Sequence, residues 1–424
     1  MTLVARTRHL DHDVDLVSVA GADGVLFERG RAGLAGRGEA ARIPWPGGEP
    51  AAAALAAAAV LAAIETDDAV GLPGCGPVAF GALAFVPGTP SSLVVPELVV
   101  GRAEDGTRWL TTIGPAAGPH PDHTVLAADA AGGDGPGRAE VRRYTVESTM
   151  APEQWCELVA RATKTLVTVP PGIPMRTETD EFVKVVLARE VLVATDVPID
   201  RAAVLGRLRA MYPGCHLASV DGLVAASPEL LVARSGDMVR SHPMAGTAPR
   251  GGDPTTDQRL AASLLASAKD REEHQITIDM VHDTLLDWCS FLDYEAEPSV
   301  VAVANVQHLA TLVEGRLSRP APSVLELVAA LHPTPAVAGW PRDQAVRWIV
   351  DNEGFDRGRY AGTVGWADAA GNGTWAVTVR CAEIGGSSAR LFGGNGIVAD
   401  SDPVTELAET RAKLQALLSA IVRP

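Results

Sequence analysis

The sequence predicts an α+β fold in which large antiparallel or mixed β-sheets pack as a sandwich and are flanked by helices. Three observations carry that expectation. The 424 residues are 47% hydrophobic, enough for one large compact domain or two ordinary ones. Short strand-like runs stand as hairpin neighbours between turn residues. Strands and helices do not alternate in the strict order that a doubly wound parallel sheet requires.

Taken in order, residues 1–140 form a strand-rich N-terminal part and residues 141–424 a second region that carries the chemistry. In the first part, LVSVAG (16–21), GVLFERG (24–30) and SLVVPELVVGR (92–102) read as strands. The Ala-rich run at 51–64 supplies a helix and is too short to span a bilayer. Residues 114–139, rich in Gly, Pro and Asp, form the best loop or boundary candidate. Helix resumes near Pro152. Strands are then expected in HLASVDGLVAASPELLVAR, DMVRSHP, TWAVTVRCAEI and ARLFGGNGIV. Helices are expected over 257–289 as one long element, 322–331, 341–352 and 403–422.

Charge and cysteine usage exclude several classes. A net charge of −16 argues against a nucleic-acid partner, and an anionic substrate needs local Arg and Lys to be held at all. The five cysteines are scattered and lack CxxC spacing, as expected of reduced thiols rather than a disulfide framework or zinc site. The first residues lack the order of a secretory signal, so a cytoplasmic protein without a membrane partner is expected.

Candidate chemistry is spread along the second region. In TWAVTVRCAEI, alternation puts Arg380 on the face of Thr378, opposite Trp375, Val377, Val379 and Cys381. Alone, Arg380 fits either a structural ion pair or a bidentate clamp for a carboxylate. Residues 392–398, FGGNGIV, read as a Gly-rich turn before a helix that starts at Ser401-Asp402-Pro403. On that helix Glu406, Glu409 and Lys413 share a face, as a solvated pair or as part of a site. Asp270 and Glu273 share a face of another charged helix. Two helices with acidic pairs suit one hard cation such as Mg²⁺, which takes one or two carboxylates and completes its shell with water and substrate oxygens. Lys184 interrupts an apolar strand, either as an edge lysine or as a desolvated base. Glu229, after a proline turn, is either a turn residue or a general acid.

In this order the segments KVVLARE, ASPELL, HPMAGT, AKDREEH, VQHLAT, LHPTPAVAG, FDRGRYAGTVGW, TVRCAEI, LFGGNGIV and ELAETRAKL closely resemble the chorismate-utilising enzymes, over roughly residues 150–420. The resemblance implies that Glu273 and Glu409 ligate Mg²⁺ with Asp270 and Glu406 close by. It implies that Arg380, Gly396 and Lys413 position the carboxylates of chorismate, that Gly246 and Thr247 line the pocket, and that His308 lies against the ring. Lys184 is implied as the base that activates water and Glu229 as the acid on the other side. Lysine at 184 resembles the water-using members, since amine-using ones carry Gln there, and Ala245 stands where aminodeoxychorismate synthases carry a nucleophilic Lys. Tyr360 resembles the salicylate synthases, whereas Ala336 and Val337 resemble the apolar pair of isochorismate synthases. The expectation is therefore a monomeric, Mg²⁺-dependent isochorismate synthase. A salicylate synthase, a silent chorismate-binding relative and an amine-transferring synthase remain as alternatives. GGNG in place of the usual GAG, and AGW after HPTPAV, depart from the family pattern without removing a charged group.

Overall fold

The computed structural model describes residues 2–116, 143–168, 181–303 and 306–422. All but the first three residues of the loop expected over 114–139 lie outside them. Among the described residues, thirteen strands form one sheet, nine a second and three a third. Pairing is antiparallel except where Leu3–His9 meets Glu65–Asp68. This is the α+β sheet architecture that the hairpin spacing predicts. Both large sheets draw strands from either side of residue 140: Val25–Arg29 pairs with His216–Val220 in the first, and Val78–Leu83 with Thr363–Asp368 in the second. Their inner faces meet in one apolar core that includes Phe27, Phe80, Val364 and Trp375.

Four local readings are corrected. LVSVAG is a helix, Leu16–Ala20, not a strand. The Asp15 carboxylate caps its N-terminus by accepting from the Ser18 amide, and Gly21 ends it with φ of 59°. The helix expected over 257–289 is two, Pro254–Ala266 and Ala268–Leu286. Ser267 separates them in extended backbone, and its hydroxyl accepts from the Asp270 amide as the cap of the second. TWAVTVRCAEI is two strands, Gly373–Val377 and Cys381–Gly385, with the chain leaving one sheet for the other between them. Arg380 takes φ of 47° there, so simple alternation does not set its direction. Finally, Gly393–Gly396 is the interior of the strand Ser388–Ile397, as expected of ARLFGGNGIV, and not part of a turn over 392–398. The glycines serve close packing: a Cβ on Gly393 would lie 3.0 Å from Leu414 Cγ on the last helix.

That helix, Pro403–Val422, starts where the sequence predicts, with the Asp402 carboxylate accepting from the Thr405 amide. Lys184–Thr195 runs inside the large sheet, pairing with Ser388–Ile397 on one side and with Tyr144–Ser148 and Gly339–Trp340 on the other. No described helix is long and apolar enough to cross a membrane.

A buried ion pair fixes the floor beneath these strands. Arg357 donates to Glu353 at 2.5 and 2.8 Å and to the carbonyls of Val186 and Val337 at 2.6 and 3.1 Å. Glu353 also accepts from the Ala188 amide at 2.8 Å. Both side chains are nearly fully buried, at 2% and 1% exposure, so the satisfied network keeps the desolvation cost in check. Arg357→Met should strand the Glu353 carboxylate and lower stability by about 3–5 kcal/mol. Urea denaturation checks this, and an unchanged midpoint would contradict it.

Candidate active site

The site forms where chain segments change sheets. Leu223–Ser227 belongs to the large sheet and Leu230–Ser235 to the second, with Pro228 and Glu229 at the corner. Gly373–Val377 returns to the large sheet through Thr378, Val379 and Arg380. The two corners are tied by the Val377 amide donating to the Glu229 carbonyl and the Ala226 amide donating to the Arg380 carbonyl, both at 3.1 Å. Glu229 and Arg380 therefore project from one doubled corner. The third sheet adds Gly246, Thr247 and His308 from the paired strands Met244–Pro249 and Val306–Ala310. Gly246 takes φ of 71°, and a Cβ there would crowd Asp270, so this position calls for glycine on both counts.

A cleft of about 230 Å³ opens between these elements. Its walls hold Glu229, Gly246, Thr247, Asp270, Glu273, His308, Ala336, Tyr360, Arg380, Gly396, Glu406, Glu409 and Lys413. Thus every residue expected at the site but Lys184 faces one cavity. Lys184 is buried at 2% exposure, and its Nζ lies 2.8 Å from Glu273 Oε1. It borders an adjoining recess that shares Lys269, Glu273 and Val398 with the cleft, and a Cβ on cleft-lining Gly396 would lie 3.0 Å from its Cε and 3.6 Å from its Nζ.

The electrostatics divide the carboxylates. Burial pushes the Glu229 carboxyl up to about 8, against the pull of the Met244 backbone, Lys184 and Arg380. Its Oε1 is buried with no partner among the described residues. Glu273 behaves oppositely. Burial pushes it up, but the charge and hydrogen bond of Lys184 outweigh that and hold it below the usual range.

A polar relay crosses the cleft. Arg380 Nη2 lies 3.0 Å from His308 Nε2, and His308 Nδ1 lies 3.0 Å from Thr247 Oγ1 and 3.3 Å from the Gly246 carbonyl. Arginine only donates, so Nε2 accepts and the imidazole proton is assigned to Nδ1. Burial and the neighbouring Arg380 hold His308 well below its usual pKa, which keeps it neutral. On the far wall Lys413 donates to Glu409 at 2.8 Å, to the Gly394 carbonyl at 2.9 Å and to Asn395 Oδ1 at 3.1 Å. Asn395 Nδ2 in turn donates to Glu406 Oε2 at 2.9 Å. Asn395 is a site residue the sequence reading passed over; its signal was a polar side chain inside a glycine-rich strand. Tyr360 stacks on Phe392 with ring centroids 5.0 Å apart, and its hydroxyl occupies the space beside Gly394 that a Cβ would take.

The donor set fits a divalent cation. Asp270 and Glu273 come from one helix, Glu406 and Glu409 from another, and all four line the cleft. Burial raises Asp270, and the charges of Glu273 and Glu409 raise it further; burial and then Glu409 act likewise on Glu406. Carboxylates that disfavour one another's charge are what a hard cation relieves. Among the described residues no three such groups converge on one point, because Glu273 and Glu409 turn to Lys184 and Lys413. One or two protein carboxylates suffice for Mg²⁺, so the arrangement suits it once those ammonium partners are exchanged.

A cleft with fixed cations, a buried neutral acid and facing carboxylates defines an enzyme built for a small anionic substrate. The chain belongs to the chorismate-binding enzyme family, whose pattern it matches over residues 28–422, well beyond the motif-bearing part. It is similar to isochorismate synthase DhbC of Bacillus subtilis, at 50% identity over 199 residues, 47% of this chain and 50% of that protein. It is 38% identical over 361 residues to the putative isochorismate synthase MenF of Mycobacterium tuberculosis, covering 82% of this chain and 87% of that one. Isochorismate synthase EntC of Escherichia coli is 35% identical over 357 residues, 81% of each chain. Among solved structures, a putative 2,3-dihydroxybenzoate-specific isochorismate synthase, DhbC from Bacillus anthracis, superposes with a TM-score of 0.74 at 30% identity over 97% of each chain. The menaquinone-specific isochorismate synthase MenF of Escherichia coli shares the fold, with a TM-score of 0.79 at 24% identity over 99% of this chain and 94% of that one.

The cation assignment is tested by titrating Mg²⁺ calorimetrically. Glu273→Gln and Glu409→Gln should each weaken binding by at least the roughly 10–100-fold that loss of a supporting group costs at metal sites. An unchanged isotherm in either variant removes that residue from the site.

Proposed function

We propose that this enzyme converts chorismate into isochorismate, with Glu229 as the acid that protonates the hydroxyl leaving C4. The observation that carries the reading is the Glu229 side chain: it belongs to the lining of the cleft, is buried and raised to about 8, and has a carboxyl oxygen without a partner among the described residues. A group of this kind keeps its proton at neutral pH and releases it where charge builds on a leaving oxygen. Arg380 and Lys413 hold the substrate's two carboxylates, with His308 fixed beside the ring by Arg380 and Thr247. Lys184, released from Glu273 as the neutral amine, takes a proton from the water that attacks C2. The ring double bonds shift, hydroxide departs from C4 with the Glu229 proton, and one water is consumed and one released. A bound Mg²⁺ supplies neutralisation and orientation of the ring carboxylate.

The reaction stops at isochorismate because Ala336 and Val337 give this wall of the cleft no hydroxyl, while Tyr360 lies stacked on Phe392. The product enters siderophore or menaquinone biosynthesis; one solved structure with this fold is named menaquinone-specific and another 2,3-dihydroxybenzoate-specific. We take the enzyme to act as a monomer in the cytoplasm. Its net charge of −16 disfavours a nucleic-acid partner.

Lys184→Ala and Glu229→Gln should each reduce turnover of chorismate by about 10²–10⁴-fold while leaving the fold intact. Chromatographic separation of the products settles the reaction, since isochorismate and chorismate share one mass: isochorismate without pyruvate or salicylate is expected, and wild-type rates in either variant would refute the roles. Since Glu229 must be protonated to act, kcat/KM should hold up to about pH 8 and then fall about tenfold per unit. A profile with no descending limb there would exclude Glu229 as the acid.

A further inference from the structure

We propose that Asn395 is a positioning residue of the cation site: one buried amide fixes the Glu406 carboxylate in place and keeps the Lys413 ammonium from neutralising it. The inference rests on the cation reading of the cleft given above and extends it to a neutral side chain. Asn395 lies inside the strand Ser388–Ile397, opposite Leu187 in the ladder, and is 3% exposed. It belongs to the GGNG segment that departs from the family pattern.

Three hydrogen bonds use both ends of the amide. Nδ2 donates to the Glu406 carbonyl and to Glu406 Oε2, both at 2.9 Å. Oδ1 accepts from Lys413 Nζ at 3.1 Å. The partners settle which end is which, since an ammonium only donates and an ionised carboxylate only accepts. Because one nitrogen meets both Glu406 atoms, the carboxylate is held beside its own backbone carbonyl. The grip comes from the interior of a sheet, so the strand sets where the helix side chain rests.

The amide also acts as a spacer. Glu406 and Lys413 share a face of the last helix about two turns apart, and both reach the same amide. Only the width of that amide separates the two charges. Elsewhere in the cleft an ammonium pairs directly with a carboxylate: Lys184 with Glu273 and Lys413 with Glu409, each at 2.8 Å. Glu406 is held instead by neutral donors, Asn395 and the Ser401 hydroxyl. Lys413 spends its three protons on Glu409, the Gly394 carbonyl and Asn395, and none is left for Glu406. A cation entering the cleft must take Glu273 or Glu409 from an ammonium partner, but it meets Glu406 already free of one. Without the amide, a Lys413 proton and a Glu406 oxygen lose their partners at the same point. Opposite charges stranded together in a buried cleft pair with each other, and Glu406 is then withdrawn from the cation.

The test is a double-mutant cycle on metal-free enzyme, read as Mg²⁺ binding by calorimetry rather than as turnover. Asn395→Ala is expected to weaken Mg²⁺ binding by about 10–100-fold, the range for loss of a group that orients a ligand. Glu406→Gln should weaken it at least as much. The double variant should bind within about twofold of Glu406→Gln alone, because Asn395 acts through Glu406. Asn395→Ser, too short to span both partners, should match Asn395→Ala, and it decides the matter if the alanine variant does not fold. A wild-type isotherm in Glu406→Gln or in a folded Asn395 variant overturns the proposal. So does a double variant that shows both single losses in full, the mark of structural damage independent of Glu406. Wild-type enzyme that binds Mg²⁺ in the same titration preserves the cation reading when this proposal fails; wild-type enzyme that binds none removes that reading and the proposal with it.

Discussion

Two chain segments cross from one large sheet to the other side by side, and the site hangs on that doubled corner. Residues 223–235 and 373–385 pair with each other in both sheets. Between the sheets they can no longer keep a regular ladder, and two backbone hydrogen bonds tie them, one through the Glu229 carbonyl and one through the Arg380 carbonyl. Side chains at such a break are freed from strict alternation and point along the seam between the sheets. Arg380 accepts φ of 47° to do so, a conformation costly for a residue with a Cβ and kept only where its surroundings impose it. An acid and a cation are thereby set on two short connections, each held by a strand at either end.

Around this corner, environment rather than residue type decides what each carboxyl group is. Glu229 has lost water and gained no partner for Oε1, so its neutral form prevails. Glu273 is partly buried, yet Lys184 keeps it charged. Asp270 and Glu406 are raised first by burial and then by neighbouring carboxylates, which leaves that wall short of positive charge. The cleft therefore separates one neutral acid from an anionic wall, with Arg380 and Lys413 supplying the cations that the net charge of −16 makes necessary.

Much of this was legible beforehand because the signals were local. The Asp402 cap, the Ala-rich helix and the strand at Val25–Arg29 follow from caps and periodicity. The shared face of Glu406, Glu409 and Lys413 follows from helical spacing and is the face that lines the cleft. Readings failed where a competing local device won. Asp15 and Gly21 cap a helix in a stretch whose Val and Leu content suggests a strand. Ser267 interrupts a helix whose charged and apolar residues run on without a Pro or Gly. The glycines at 393–396 look like a turn and instead clear space for Leu414 and the Tyr360 hydroxyl.

By itself the sequence determined the chemistry available: which carboxylates, cations and imidazole the chain owns, on which helix faces they fall, and through ordered motifs which family it joins. Those properties depend on residue type and short spacing, which a linear string records in full. The tertiary structure alone decided that Lys184 is buried against Gly396 of the cleft wall, that Glu273 is its partner, and that Arg357 and Glu353 hold the floor beneath Val186 and Val337. Each of these joins residues tens to hundreds of positions apart, or depends on which side of a sheet seam a side chain emerges. Burial and contact of that kind are properties of the packed chain, and no pattern of neighbours along the sequence encodes them separately.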